Sequence, residues 1–157
     1  MRKQRGFSLI ELLIVVASIL IIAAIAIPNL LRARIASNES SAVASLRTIN
    51  TAMISYNSSY PSVGFAANLT TLTGTCTGSV LPTSTNACLI DTTLAAGTKS
   101  GYTFNAAGTS SGYAAWASPL TINTTGVNSF CSVSDAVVRE IPGTVVSTCA
   151  GTETPLQ

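Results

Sequence analysis

The sequence predicts an α+β fold in which a long N-terminal α-helix, half of it transmembrane, packs on a small antiparallel β-sheet. Two observations predict the helix: residues 7–27 are almost entirely apolar, and residues 42–60 repeat apolar side chains at helical spacing. One observation predicts the sheet. After residue 101 the chain alternates apolar and polar residues in short runs separated by turn residues.

The chain is unusually poor in charge. Only 9% of its 157 residues are charged, against about 25% in an average globular protein. Eight Lys and Arg face six Asp and Glu, but three of the positive residues, Arg2, Lys3 and Arg5, precede residue 7. The remaining chain carries five positive and six negative side chains. We therefore predict no specific nucleic-acid binding.

The residue types also exclude most catalytic chemistry. The chain contains no histidine, which excludes histidine acid–base catalysis, histidine-activated nucleophiles and histidine metal ligands. Its acids are too dispersed in the sequence to predict a calcium loop or a catalytic carboxylate pair. The run Gly97-Thr98-Lys99-Ser100 lacks the spacing of a phosphate loop and is predicted to be a turn. We expect no enzyme, catalytic residue, cofactor or metal.

The N-terminal segment has the length of a membrane span. From Phe7 to Ile27 there are 21 residues, and only Ser8, Glu11 and Ser18 are not apolar. A helix of this length measures about 31 Å, which matches a hydrocarbon core of about 30 Å. The preceding basic residues predict a cytoplasmic N-terminus. The four cysteines then lie across the membrane, where disulfides persist, so two disulfides are expected.

Two ordinary interpretations of this segment conflict with Glu11. A secretory signal peptide could be cleaved at Ala24 and Ala26, and a plain membrane anchor needs only the apolar length. A carboxylate inside an apolar run costs about 2.5–3.5 kcal/mol on insertion scales. Neither interpretation gives it a role, and an ionisable residue at this depth predicts a function and a partner.

A family resemblance supplies that role. Gly6-Phe7-Ser8-Leu9-Ile10-Glu11-Leu12-Leu13 resembles the processing motif of type IV prepilins. The resemblance implies that a prepilin peptidase/methyltransferase cuts between Gly6 and Phe7, methylates the amino group of Phe7 and leaves the apolar helix on the mature chain. The resemblance is close as far as Arg47, about the first third of the chain, and implies a type IV pilin-like fold.

The resemblance also implies a function. The chain is expected to be a structural subunit of a type IV pilus. It would first be a single-pass inner-membrane precursor and then part of an extracellular homopolymer built on an inner-membrane assembly platform. Surface functions such as adhesion, motility or DNA uptake would follow. The alternatives are a pseudopilin of type II secretion, against which the absence of an acidic calcium loop argues, and a membrane-anchored binding domain that does not polymerise.

Two residues of the helix receive specific roles. Glu11 is expected to act in assembly by pairing with the free amino group of Phe7 on a neighbouring subunit, and the alternative is that its carboxylate only snorkels to the membrane surface. Pro28 has no amide hydrogen, so the carbonyl of Ala24 loses its helical partner. We predict a helix kink at Pro28, with a simple helix end there as the alternative.

The second half of the helix carries an apolar stripe. It consists of Ala42, Leu46, Ile49, Met53, Tyr56 and Tyr60. Pro61 disfavours helix at Tyr60, so we predict a leader at 1–6, a helix at 7–60 (7–27 spanning the membrane) and a head at 61–157. The residues opposite the stripe are expected to face solvent or another subunit: Arg32, Glu39, Ser40, Arg47 and Asn50.

The head is predicted in two parts. Residues 61–101, rich in threonine and serine, are expected to form an irregular connection restrained by a Cys76–Cys88 bridge. Residues 102–157 are expected to form an antiparallel sheet and tail, with strands at Tyr102–Ala106, Tyr113–Ser118, Ser129–Ser132 and Ala136–Arg139. A Cys131–Cys149 bridge would close a C-terminal loop. That pairing rests on proximity and on the resemblance, since four cysteines permit three pairings.

Overall fold

The structure of the protein, a computed structural model, describes residues 7–76 and 81–156. The expected leader at residues 1–6, with Gly6, lies outside the described residues. Two compact units divide the chain at residue 34, one comprising residues 1–34 and the other residues 35–157. Helix α1, Leu9–Ser59, contributes residues to both units.

Helix α1 is 51 residues long, as the sequence predicts, and its helical assignment continues through Pro28. The alternative that the helix ends at Pro28 is therefore wrong. At the other end, the amide of Tyr60 still donates to the carbonyl of Tyr56 at 2.9 Å. Pro61 follows directly and disfavours further helix.

The head contains one six-stranded antiparallel sheet in sequence order, which confirms the predicted meander. The strands are β1 (Thr98–Lys99), β2 (Tyr102–Gly108), β3 (Tyr113–Pro119), β4 (Asn128–Val133), β5 (Arg139–Pro142) and β6 (Thr154–Pro155). In the central strands, Asn105 pairs with Trp116, and Trp116 pairs with Cys131. This register places Tyr102, Phe104 and Ala106 of β2 in the core, at every second position.

The predicted turn at Gly97-Thr98-Lys99-Ser100 is partly wrong. Thr98 and Lys99 form strand β1 and pair with Thr103 and Tyr102. Ser100 and Gly101 make the turn between the strands, with φ of 50° and 75°. Positive φ at both central residues is typical of a two-residue hairpin turn, which continues the strand twist.

The predicted strand Ala136–Arg139 is also wrong, because the strand begins only at Arg139. Ala136 has a φ of 58°, outside the range of a β-strand. The carboxylate of Asp135 accepts a hydrogen bond from the amide of Val137 at 3.0 Å. This local bond holds residues 135–137 in a turn and moves the start of the strand.

The connection expected to be irregular contains two single-turn helices, α2 (Leu69–Leu72) and α3 (Thr92–Ala95). Asn68 caps α2 by accepting from the amide of Thr71 at 3.0 Å. Asp91 caps α3 by accepting from the amide of Leu94 at 2.6 Å. Side-chain acceptors at these positions satisfy amides that a helix start leaves free, so a Thr-rich sequence still forms short helices that bury Leu72 and Leu94.

The core of the head lies between the second half of α1 and the sheet. Five of the six stripe residues, from Ala42 to Tyr56, are buried, and Tyr60 packs against the core, which confirms the predicted stripe. Asn50, predicted to be on the opposite face, is also buried. Its amide group donates to Ser132 of β4 and to the carbonyl of Ala136 in the following turn, and it accepts from Tyr113 of β3, so its burial costs little.

Candidate functional site

The first turn of α1 joins Ser8 and Glu11. The backbone amide of Ser8 donates to Oε2 of Glu11 at 3.0 Å, and the amide of Leu12 donates to the carbonyl of Ser8 at 3.3 Å. The first bond is one half of a capping box, in which an acid at the third helical position binds back to the start of the helix. The Ser-x-x-Glu spacing is the sequence signature of this capping bond, which was not among the predictions from sequence.

The remaining surface of this helical segment is apolar. Phe7 is 83% exposed, and the large apolar residues from Leu9 to Leu31 are about half exposed or more. The hydroxyl of Ser18 donates to the carbonyl of Ile14 at 2.9 Å. Ser18 and Oε2 of Glu11 therefore have local hydrogen-bond partners, whereas Oε1 of the Glu11 carboxylate has none among the described residues.

One described helix, Leu9–Ser59, is long and apolar enough to cross a membrane, with a mean hydropathy of 3.0 over its most apolar 18 residues. Within it, Pro28 lies among exposed residues. Soluble monomers rarely expose so large an apolar surface. The apolar surface of this segment must therefore be covered, either by lipid or by other helices.

The four cysteines form two disulfides. Cys76 and Cys88 are bonded with their Cα atoms 6.1 Å apart, and Cys131 and Cys149 with theirs 5.6 Å apart. The second bridge ties the tail to the central strand β4. Glu153 lies beside Cys149, but both sulfurs are covalently bonded, so this group offers no thiolate pair to a metal ion.

Buried hydroxyls hold the same tail on the sheet. Oγ of Ser118 donates to the carbonyl of Val146 at 2.9 Å and accepts from its amide at 3.0 Å. Oγ of Ser129 donates to the carbonyl of Thr144. Ser118 and Ser129 are both buried under these contacts. The disulfide therefore closes a segment that is also hydrogen-bonded to the sheet at Thr144 and Val146.

Most acids between residues 35 and 156 make hydrogen bonds that stabilise the fold. Asp135 forms an ion pair with Arg139, whose guanidinium donates to that carboxylate and holds the pKa of Asp135 below its usual range. Glu153 accepts from the amide of Ala150 at 2.8 Å, which lowers the pKa of Glu153 as well. Glu39 accepts from the amides of Val127 and Asn128 at 2.8 and 3.1 Å.

An open groove separates α1 from strands β4 and β5. It has a volume of about 430 Å³, with Ala36, Ser40 and Ala44 on the α1 side. Glu140 lies on the opposite wall, and the groove also contacts Glu39 and Arg47. In the described part of the chain, Arg139–Asp135 is the only ion pair, so Glu140 and Arg47 form none there.

The N-terminal part of the chain is similar in sequence to known proteins. Residues 1–27 match the prokaryotic N-terminal methylation motif. The chain is 50% identical over 54 residues to the type IV major pilin protein PilA of Myxococcus xanthus, covering 34% of this chain and 24% of that protein. It is 62% identical over 39 residues to the type IV wide pilus major component PilA4 of Thermus thermophilus, covering 25% of this chain and 30% of that protein.

The chain thus spans about a quarter to a third of the length of these two relatives. No solved structure matches it significantly. A methylation motif at the start of an apolar helix that is long enough to span a membrane is typical of membrane-anchored proteins with such an N-terminus. The N-terminal third of the chain is thus similar to two type IV major pilus subunits, and the α+β fold agrees with that similarity.

Proposed function

We propose that the chain is a structural subunit of a type IV pilus. A prepilin peptidase/methyltransferase cleaves the precursor between Gly6 and Phe7, removes the leader at 1–6 and methylates Phe7. Before assembly, the subunit is held in the inner membrane with its N-terminus on the cytoplasmic side. An assembly platform then adds it to the filament. The proposed role is structural, since both relatives are described as major pilus components.

The observation that carries this proposal is the apolar surface of α1. From Leu9 to Leu31 every large apolar side chain is about half exposed or more, and Glu11 is the only charged residue between Phe7 and Leu31. The same surface can contact lipid in the precursor and neighbouring helices in the filament, because helices associate in membranes through close packing and polar contacts. A permanent anchor would not require a processing motif.

Glu11 supplies a polar contact that depends on processing. Cleavage after Gly6 creates an ammonium group on Phe7, which can meet the Glu11 carboxylate of an adjacent subunit. At about 4 Å and an effective dielectric constant of about 20, such a pair gains about 4 kcal/mol before desolvation is subtracted. Oε2 of Glu11 binds the amide of Ser8, and Oε1 is available to the neighbour. The pair favours one axial register between helices.

Pro28 makes the helix easier to bend or melt at one position. Because it donates no amide hydrogen, the carbonyl of Ala24 lacks its helical partner, and local bending or melting costs less there than elsewhere in α1. We propose that the filament stretches or bends at this position. Residues 7–60 act as the assembly helix, and residues 61–157 form the head exposed on the pilus surface.

Two variants of Glu11 test the proposal. Glu11→Ala removes both the charge and the helix cap, whereas Glu11→Gln retains an acceptor for the amide of Ser8 and removes only the charge. Both variants should be inserted and processed like the wild type, and neither should form filaments in cells that carry the assembly machinery. Ser18→Ala, on the same segment, serves as the matched control and should assemble normally.

The measurements are the electrophoretic shift on processing and the yield of sheared filaments by electron microscopy. Normal filaments from Glu11→Gln would show that capping, and not charge, is what assembly needs from this residue. Normal filaments from both variants would exclude Glu11 from assembly.

A further inference from the structure

We propose that the groove between α1 and strands β4 and β5 receives the segment Arg32–Arg34 of a neighbouring copy of this chain. The proposal rests on the proposed filament function and adds a second subunit contact to it. It rests on three observations: a groove with net negative charge, two exposed arginines that form no ion pair with the described residues, and a helix register that brings Arg34 level with the groove.

The shape of the groove suits an approaching helix. On the α1 side its lining residues Ala36, Ser40 and Ala44 recur every four residues and carry small side chains. Residues at this spacing lie on one face of a helix, and small side chains on that face let a second helix approach closely. The opposite wall, which includes Phe130 and Glu140, limits where the second helix can lie.

The charges of the groove favour a cation. Glu39 and Glu140 contribute two carboxylates and Arg47 one guanidinium, which leaves a net charge of −1. Oε1 of Glu39 already binds two backbone amides of the chain segment entering β4. The side chain of Glu140 makes no hydrogen bond or ion pair with another described residue. Glu140 is therefore the group that a basic partner would neutralise.

The chain itself carries a matching basic segment. Arg32 and Arg34 are exposed and are the only charged residues between Pro28 and Asn38. Within the described residues neither forms an ion pair. Because residues two apart lie on nearly opposite faces of a helix, one of the two, Arg34, is assigned to the groove. A guanidinium attracts a carboxylate across an interface, and a wrong register that brings like charges together is disfavoured.

The axial register that the Phe7–Glu11 pair would set brings Arg34 of one copy level with the groove of the next. When two parallel copies place Phe7 of one level with Glu11 of the other, the shift is four residues, or about 6 Å. Along the same helix that shift makes Arg34 level with Asn38 of the neighbour, one residue before Glu39 and two before Ser40. One displacement therefore pairs Phe7 with Glu11 and brings Arg34 level with the α1 residues that line the groove, which Glu140 also lines. This coincidence favours a second copy over lipid headgroups as the partner of Arg34.

A charge exchange tests the contact in the intact protein. Arg34→Glu and Glu140→Arg should each lower the yield of sheared filaments about tenfold, the effect expected for a coupling of about 1.4 kcal/mol per contact. The double variant carries both charges exchanged and should recover most of the wild-type yield. Lys99→Glu, a charge reversal on the edge strand β1, is the matched control and should have no effect.

A cross-link measures the register directly. Oxidation of filaments from the double variant Arg34→Cys/Ser40→Cys should give a ladder of covalent multimers, whereas Arg34→Cys/Thr51→Cys should give only monomers. Residues 34 and 40 of one chain are about 9 Å apart along the helix axis, too far for an internal bond.

The outcomes separate this proposal from the function on which it rests. If the wild type forms filaments, the Glu11 variants form none and the charge variants all assemble normally, the groove contact is overturned and the function stands. If the double charge variant yields no more filaments than its two parents, the contact is also overturned. If Arg34→Glu reduces retention of the unpolymerised subunit in the membrane and Glu140→Arg changes nothing, lipid is the partner. If the wild type forms no filaments, both proposals fail.

Discussion

The hydroxyl of Tyr113 donates a hydrogen bond to Oδ1 of Asn50 at 3.1 Å, deep between helix α1 and the sheet. Nδ2 of Asn50 donates in turn to Oγ of Ser132 at 2.9 Å and to the carbonyl of Ala136 at 3.2 Å. One side chain of the helix therefore binds strand β3, strand β4 and the turn after it. Burial and the nearby charge of Asp135 raise the pKa of Tyr113 to about 12, so it remains a donor at neutral pH.

Removing this amide should weaken the docking of the helix. Asn50→Ala leaves the hydroxyls of Tyr113 and Ser132 buried without their partner, and each unsatisfied group costs about 1–3 kcal/mol. We expect the free energy of unfolding to fall by about 2–4 kcal/mol, measured by chemical denaturation of the detergent-solubilised protein. Thr51→Ala, an exposed neighbour on the helix, should change it by less than about 0.5 kcal/mol. Equal losses for both variants would contradict this account.

Glu39 should control the order of the chain leading into β4. Its carboxylate accepts from the amides of Val127 and Asn128, and the adjacent Asn38 donates to the carbonyl of Thr125 at 2.8 Å. In Glu39→Ala these two amides lose their acceptor, so their hydrogen exchange should accelerate by about tenfold or more, the equivalent of one lost hydrogen bond of about 1.4 kcal/mol. Ser40→Ala should leave their exchange rates unchanged. Unaltered exchange at residues 127 and 128 in Glu39→Ala would show that the carboxylate does not hold this segment.

The Asp135–Arg139 pair should make the stability of the head depend on pH in the acid range. The folded-state pKa of Asp135 is lowered, first by the hydrogen bond from Arg139, so the folded state binds fewer protons than the unfolded state. Its stabilising contribution is fully present above the unfolded-state pKa, about 4, and is lost as the pH falls through the lower folded-state value. The stability difference between the wild type and Asp135→Asn should therefore shrink below about pH 4. A difference that is constant from pH 7 to pH 2 would exclude this linkage.

The C-terminal disulfide should stabilise the head mainly through the tail. Cys131 and Cys149 are 18 residues apart, and closing a loop of that length contributes about 3 kcal/mol in the chain-entropy model. The variant Cys131→Ser/Cys149→Ser should lose about this amount and become sensitive to proteolysis between residues 143 and 156. Cys76→Ser/Cys88→Ser, the matched pair with a separation of 12 residues, should lose a similar free energy without exposing the tail. Equal proteolysis of the tail in both variants would contradict a local effect.

The parts of the fold that sequence predicts correctly are those set by repeating apolar patterns. The stripe from Ala42 to Tyr60 and the alternation of Tyr102 with Phe104 both identify buried faces, because burial of apolar area dominates there. The length of α1 follows from the same pattern. The antiparallel order of the strands follows from short connections between them.

The errors lie where polar contacts decide the structure. Asn50 was expected on the exposed face but is buried, because it meets partners distant in sequence. The burial of Ser118 and Ser129 likewise depends on hydrogen bonds to distant residues, which no local pattern predicts. The strand expected at Ala136 begins later because the Asp135 side chain binds a local amide. Strands β1 and β6 have two residues each, too few for any period to be read. At the candidate site, the capping bond of Glu11 was visible in the Ser-x-x-Glu spacing, whereas the groove depends on tertiary contacts that no local pattern contains.

The central claim is that the chain is cut after Gly6 and carries its apolar helix into a filament. Intact-mass and N-terminal peptide mass spectrometry of the dominant subunit in purified filaments tests it most directly. The mature subunit should begin at Phe7, carry one additional methyl group on its amino terminus and retain both disulfides. A subunit that keeps its leader, or one that begins at Ile27 after signal-peptide cleavage, would contradict it.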